Sequence, residues 1–230
     1  MNNSGDLADE FAKLGPWIYQ FQIDGQIYGG GISAAGDVRL ERFFRYAPHP
    51  ATILELGSLE GAHTFLLAQH PGVKRVLALE GREANLRKAQ FLKGLLGVRN
   101  VAFAQANLEE ADLAPFGKFE AVFCSGLLYH LPEPWKLLAQ LPQVAPLLFI
   151  WTQYAADNEA RDIGNGLRGK THIEGGANEP LSGMSPTATW LTLESLCDLL
   201  RASGYKAIEL IHDDPAHGNG PAVTIGARVD

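Results

Sequence analysis

From Ala51 to Gln153 the chain alternates between short apolar runs and amphipathic stretches, and this rhythm restricts the fold more than any other feature. "ATILEL", "KRVLALE", "VAFAQ", "EAVFCS" and "APLLFIWTQ" read as strands that are apolar at nearly every position. Between them Gly61–Gln69, Arg82–Leu96 and "EPWKLLAQL" read as helices. The second carries Leu86, Ala89, Leu92 and Leu96 on one stripe and Gly97 as its stop. A strand without polar alternation is buried on both faces, so the pattern predicts a parallel α/β sheet with helices above and below it. At 230 residues the chain is long enough for one such domain with elaborations.

The elaborations lie at the flanks. Residues 1–50 read as an N-terminal cap: a short helix "DLADEFAKL", a hairpin "WIYQFQIDGQIYGG" turning at Asp24-Gly25, and a helix "DVRLERFFRYA". Residues 51–230 form the main domain, interrupted at about 154–189 by a stretch rich in Gly, Asn, Ser and Pro with weak periodicity. An irregular segment of that length inside a compact domain is expected to be a lid or binding loop. "LTLESLCDLLRASG" resumes as a helix with Thr192 as its cap and Gly204 as its stop. "YKAIELIHD" and "AVTIGARV" are joined by too few residues for a crossover helix, so they are expected to pair antiparallel.

Composition excludes several classes. The longest apolar run, "PLLFIW", falls far short of the roughly 18 residues a membrane span needs, and "MNNSGDLADEF" resembles neither a secretory signal nor a basic transit peptide. Cys124 and Cys197 have no metal-type or redox-type spacing and are read as reduced core residues, in keeping with a cytoplasmic protein. With 19 basic against 26 acidic residues the formal charge is −7, which argues against a nucleic-acid partner. The basic residues of "GREANLRKAQFLKGLLGVR", Arg82, Arg87, Lys88, Lys93 and Arg99, are read as a solvated helix face. "HDDPAH", His212 to His217, sits between the two terminal strands and is expected to be a solvated turn, so no metal is predicted.

The chemistry centres on "TILELGSLEGAHT". In a doubly wound sheet a ligand binds at the carboxyl ends of the strands, where strand order reverses. Gly57 permits the turn, and Gly61 opens a helix whose free N–H groups favour a negative group. Glu80, 19 residues beyond Gly61, ends the next strand and suits ribose hydroxyls. A dinucleotide fingerprint would need glycines where this chain has Leu59 and Ala62, and no P-loop lysine follows. The loop therefore points to a ribose-bearing ligand without a pyrophosphate.

"ILELGSLEGAHT" resembles the first motif of the class I S-adenosylmethionine-dependent methyltransferases. The acidic end of the second strand, a polar residue after the third and "FCSGLLYHLPEPW" after the fourth follow in the same order. The resemblance covers roughly Thr52 to Trp151 and, more weakly, the terminal strands. It implies a Rossmann-like doubly wound, mostly parallel seven-stranded sheet with an antiparallel last strand. It also implies S-adenosylmethionine as cofactor. Glu55 would then orient the methionine ammonium directly or through water, Gly57 and Gly61 with Ser58 would lie against the cofactor, and Glu80 with Gly81 would take the ribose. Asn107 and Leu108 would meet the adenine, although Asn107 also fits a cap for "LEEADL". Ser125 and Gly126 would line the methionine side.

Methyl transfer from a sulfonium mainly needs alignment, with a general base where the acceptor must lose a proton. His130 is the first candidate base and His172, in the insert, the second; Tyr129 and His130 also fit a merely structural floor. Trp17, Tyr19, Tyr28, Trp151, Tyr154 and Trp190 put aromatic surface near the strand ends, with Tyr19, Tyr28, Tyr129 and Tyr154 expected at the substrate. These features favour a small-molecule methyl acceptor and metal-independent transfer. "WIYQFQIDGQIYGGG" with the later "RLERFF" also looks like the leading segment of bacterial tRNA wobble-uridine-modifying enzymes, which is the alternative within the family. A nicotinamide-dependent oxidoreductase and a non-catalytic cofactor-binding regulatory domain are the alternatives from other classes.

Overall fold

The computed structural model describes residues 4–176 and 179–230. The chain opens with helix α1 (Ser4–Leu14), the hairpin strands β1 (Gln20–Ile23) and β2 (Gln26–Gly29), and helix α2 (Val38–Tyr46). The hairpin turns at Asp24 and Gly25, with φ of 48° and 80°, the paired left-handed geometry that Asp-Gly accommodates. Asp37 caps α2 by accepting from the Arg39 N–H.

The alternating set follows: β3 (Thr52–Leu56), α3 (Ala62–Gln69), β4 (Arg75–Glu80), α4 (Glu83–Leu96), β5 (Val101–Gln105), β6 (Ala121–Ser125), α5 (Pro134–Leu138), α6 (Leu141–Val144) and β7 (Leu147–Gln153). The single helix expected over "EPWKLLAQL" is two short ones, because Pro142 has no N–H to return to the preceding turn. After the insert come α7 (Leu193–Ser203), β11 (Ala207–Asp214) and β12 (Ala222–Arg228), the insert itself supplying β8 (Arg161–Gly164), β9 (Leu167–Ile173) and β10 (Thr187–Leu191).

The central sheet has the order β11-β12-β7-β6-β3-β4-β5, with β12 antiparallel to both neighbours and the rest parallel. Both faces are covered, as the unbroken apolar strands require. Leu54, Leu56, Val122, Leu148 and Ile150 face Leu137, Leu141, Leu196 and Leu200 on one side. Ile53, Phe123 and Phe149 meet Phe43 and Leu67 on the other. Phe43 stands edge-on to Phe123 and Phe149 at 5.2 and 5.6 Å, and each such fully buried side chain stabilises the fold by about 1.5–3 kcal/mol. Cys124 and Cys197 are both free, the first buried and the second half-buried.

The expectation of an irregular insert is corrected. β8, β9 and β10 form a separate antiparallel sheet, with β8 and β9 joined at Asn165 and Gly166, φ 55° and 73°. Its alternation is weak because glycine interrupts it where backbones cross: a Cβ on Gly169 would lie 2.6 Å from the Trp190 carbonyl oxygen. This small sheet is tied to the main domain by main-chain bonds, Thr189 N to Leu131 O at 2.9 Å and Ala155 N to Leu191 O at 2.8 Å. No helix among the described residues is long and apolar enough to cross a membrane.

Candidate active site

Strand order reverses at β3, which has β4 on one side and β6 on the other. A cavity of about 640 Å³ lies beyond the carboxyl ends of these strands, lined by the loops after β3, β4, β5 and β6 and by the cap and the insert. A crevice at that reversal is where a doubly wound sheet takes its ligand.

The loop after β3 is held by β4. Gly57 N and Ser58 N both donate to Leu79 O, at 2.9 and 3.1 Å. Gly57 has φ 75°, and a Cβ there would stand 3.1 Å from Leu127. Leu59, where a dinucleotide fingerprint has its middle glycine, adopts φ 50° and donates its N–H to Glu80 Oε2 at 2.8 Å. The left-handed backbone of a bulky residue is costly, by about 1–2 kcal/mol, and that hydrogen bond fixes it. Glu80 Oε1 accepts from Arg82 N at 2.8 Å and from Asn85 Nδ2 at 3.3 Å. Burial pushes the Glu80 carboxyl up and these hydrogen bonds oppose it. A carboxylate has about four acceptor positions, so one remains for a ligand hydroxyl at the cavity wall.

Two residues of the motif lie outside the cavity lining. Glu55 is buried behind the loop, outside the cavity lining, and accepts from Thr64 Oγ1 at 2.5 Å. Burial pushes its carboxyl up to about 7, Thr64 opposing and the Glu80 charge adding. Gly61 caps α3 with φ 83° but packs against aromatic rings: a Cβ there would lie 3.0 Å from Phe103 and 3.2 Å from Phe65. Its glycine is required by that packing, because the ring of Phe103 on β5, two strands from β3, occupies the space.

Gly81, Asn107, Leu108 and Ser125 line the cavity. Asn107 Oδ1 also accepts from Glu109 N at 3.2 Å, capping a turn and no helix. The hydroxyls of Ser58 and Ser125 are buried without a partner among the described residues, and both residues line the cavity. Buried hydroxyls in a wall call for a polar ligand.

The cap supplies a charged corner. Arg39 Nε and Nη2 grip Asp37 at 2.9 and 2.5 Å, and His63 Nε2 lies 2.9 Å from the same carboxylate. Burial works against the Asp37 charge, but the bonds from His63 and Arg39 hold its carboxyl well below the usual range. The Arg39 guanidinium lies 4.9 Å over Trp151, and both Arg39 and Tyr19 reach the cavity. Tyr19 is placed by Glu60, fully buried, which accepts from Ile18 N, Tyr19 N at 2.8 Å and Lys88 Nζ at 2.9 Å. Lys88, expected on a solvated face, is instead buried and also donates to Pro16 O. Arg82, expected on the same face, also departs from it: it lines the cavity and donates to carbonyls of the insert.

The insert supplies the opposite corner. His130 lies in a short turn after β6, its Nδ1 3.0 and 3.1 Å from the two oxygens of Glu174. Burial pushes the His130 imidazole down, and the Glu174 carboxylate opposes this. His172 lines the cavity but stacks on Trp190 at 4.6 Å, and its ring forms no hydrogen bond among the described residues. Tyr129 lines the cavity, with its hydroxyl pushed up to about 12 by burial. Two expected substrate residues are elsewhere. Tyr28 stacks on Phe11 within the cap at 5.1 Å. Tyr154 is buried beneath β11 and donates to Asp213 at 2.9 Å. Among the described residues no three His, Cys, Asp or Glu side chains are arranged to hold a metal, and His217 of the terminal turn packs against Trp151.

A family model described as a methyltransferase domain matches residues 50–148. The N-terminal domain of EvdMO1, solved in the presence of SAH and D-fucose, is 33% identical with a TM-score of 0.88, covering 100% of this chain and 98% of that one. The chain belongs to the class I S-adenosylmethionine-dependent methyltransferases. This methyltransferase spans about half of the complete EvdMO1 chain, at 31% identity and a TM-score of 0.77 over 98% of its own length and 47% of the other. An S-adenosylmethionine-dependent methyltransferase from Mesorhizobium loti, 18% identical with a TM-score of 0.60 over 84% of this chain and 98% of that one, shares the fold. No curated protein matches the chain by sequence. The enzyme is therefore a methyltransferase with S-adenosylmethionine as its cofactor, and the oxidoreductase and purely regulatory readings fall away.

Proposed function

We propose that this methyltransferase methylates a hydroxyl group of a small polyhydroxylated acceptor of sugar size, with His130 as general base. The observation that carries the proposal is the His130–Glu174 pair at the cavity wall. A hydroxyl must lose its proton to become an ether, and a neutral imidazole beside the acceptor site is the group to take it. The D-fucose present with the EvdMO1 domain is a molecule of this size and chemistry. The cavity volume suits the cofactor together with one ring-sized molecule.

The residues fit the cofactor. Glu80 would accept a ribose hydroxyl, with Gly81 beside it, and Asn107 with Leu108 would meet the adenine. Ser58 and Ser125 would satisfy their hydroxyls on the amino-acid end, where Gly57 allows close approach. Arg39 and Tyr19 would hold its carboxylate, and Glu55 would act by supporting the loop through Thr64. S-adenosylmethionine, when bound, supplies a sulfonium-activated methyl group, so the carbon–sulfur bond breaks as the acceptor oxygen bonds to the methyl carbon and the electron pair stays on sulfur. His130 Nε2 takes the hydroxyl proton. Tyr129 and Trp190 close the wall around the acceptor and keep water out.

The test is release of SAH from the enzyme and S-adenosylmethionine with a panel of free and glycosidically linked deoxyhexoses, D-fucose among them. Acceptor-dependent release, lost when the reactive hydroxyl is already methylated and reduced about 10²–10⁴-fold in His130→Ala, is the expected result. Methyl recovered on nitrogen or carbon, or no turnover with any hydroxylated acceptor, would overturn the proposal.

A further inference from the structure

We propose that Glu174, carried by the insert and not by the methyltransferase sheet, is the positioning residue that fixes His130 in the tautomer a general base needs. The inference rests on the reading of His130 given above and adds what sets its chemistry.

The Glu174 side chain is 3% exposed and has no freedom to turn away. Its Oε2 accepts from Ser182 Oγ at 2.5 Å and from Gly183 N at 2.7 Å, and both oxygens reach His130 Nδ1. These donors outweigh burial and hold the Glu174 carboxyl below its ordinary range, so at neutral pH it is an acceptor only. An acceptor-only partner requires the proton of the neutral ring to sit on Nδ1. Nε2 is then left as a lone pair, and it has no partner among the described residues. The charged and titratable groups facing the ring are Glu174, Arg82 and His172, with the Tyr129 ring 4.1 Å away. Of these Glu174 alone carries a negative charge, so it is the group that stabilises the imidazolium formed once the acceptor's proton has moved.

The segment that carries Glu174 is held over the cavity by the cofactor side of the site. Arg82, two residues beyond Glu80, donates through Nη2 to the carbonyls of Gly176, Glu179, Ser182 and Gly183 at 2.7–3.3 Å. Glu109 takes Ser185 N and Oγ at 2.9 and 2.6 Å. The carboxylate that tunes the base thus hangs from loops that line the cofactor cavity.

The test reads the ring directly and needs no acceptor. Nitrogen-15 spectra of labelled histidine in the SAH complex are expected to show His130 with its proton on Nδ1. In Glu174→Gln the ring's acid dissociation constant should rise about tenfold, since losing the facing negative charge lowers its pKa. Ser182→Ala, which keeps the charge but removes one anchor, should move the ring's pKa by less than Glu174→Gln does. Once an acceptor is known, Glu174→Gln should lower kcat about 10–100-fold with SAH affinity unchanged and move the acidic limb of kcat/KM to lower pH. A wild-type ring protonated on Nε2, or a ring pKa that Glu174→Gln leaves unmoved, would overturn the assignment. A ring that behaves as stated in an enzyme with no hydroxyl acceptor would instead remove the O-methylation reading and leave Glu174 as the group that fixes His130.

Discussion

The two walls of the cavity are made in different ways. The wall formed by β3 and β4 is a main-chain construction: Leu59 N and Arg82 N converge on Glu80, and Gly57 N and Ser58 N on Leu79 O. The wall against the cap and the insert is a side-chain construction, in which charged groups distant in sequence meet: Asp37 of the cap with His63 of α3, Glu174 of the insert with His130, and, beneath the cap, Glu60 of the loop after β3 with Lys88 of α4. A wall of strand ends and backbone donors suits the ligand that all members of the family share. A wall that takes Asp37 and Glu174 from added elements can change those partners without disturbing the sheet, which is how acceptor choice diverges on a fixed scaffold.

The contrast predicts where single changes cost most. A buried ion pair that loses one partner leaves an uncompensated charge, typically about 3–5 kcal/mol. Lys88→Met should therefore lower the stability of the folded protein by about 3 kcal/mol, towards the lower end because Glu60 keeps its backbone donors. Urea denaturation measures this, and adding Glu60→Gln should restore part of the loss. A single variant within 1 kcal/mol of wild type would show that the cap stands without the pair.

On the other wall the buried charge is Glu55, and its cost is visible through pH. The carboxyl titrates near its ordinary 4.5 in the unfolded chain and about 7 in the native state. Between these values the native protein holds a proton that the unfolded chain has released. Stability is therefore fully present below about pH 4.5 and falls as pH rises through 7. At roughly 1.4 kcal/mol per unit the loss at pH 8 is on the order of 3 kcal/mol. Glu55→Gln should flatten this dependence in ligand-free protein, melting above wild type at pH 8 and close to it at pH 5. Parallel pH profiles of the two proteins would place the titration elsewhere.

The same contrast governs what was legible in the sequence. The sheet, its helices and the Asp24-Gly25 turn are visible because strand periodicity and turn chemistry are local signals. So is Glu80, which ends a strand. Glu174, Asp37, Arg39 and Glu60 are not, since nothing in the spacing of Glu174 and His130 shows that they meet. Gly61 and Glu55 fit the motif by spacing, yet packing against Phe103 and a bond from Thr64 decide where they point. The insert sheet was within reach: "IGNGLRG" contains an Asn-Gly pair between two runs, a hairpin signal masked by the glycine-rich surroundings.

Glu80→Ala brings the comparison to binding. Removing the carboxylate takes away the ribose acceptor and the clasp on Leu59 together. S-adenosylmethionine affinity should fall tenfold or more, a loss of about 1.5–3 kcal/mol for hydrogen bonds to a charged group. Titration calorimetry reads this directly, and an unchanged affinity would leave the ribose without its proposed partner.

The smallest effect sharpens the cap itself, where two tyrosines of one segment part company. Tyr19 is carried to the cavity by the Glu60 bond to its N–H, and its ring stands 5.9 Å from His63. Tyr28 packs on Phe11 and gives its hydroxyl to Gln26 at the surface. Tyr28→Phe should change stability by less than about 0.5 kcal/mol and leave cofactor affinity and acceptor KM as they are, because an exposed hydroxyl contributes little. Tyr19→Phe should raise the S-adenosylmethionine Kd a few-fold while leaving stability alone. If Tyr28→Phe raises an acceptor KM instead, the hairpin reaches the substrate by moving. The cap would then be a mobile gate, unlike the fixed wall that Glu60 and Lys88 make of it.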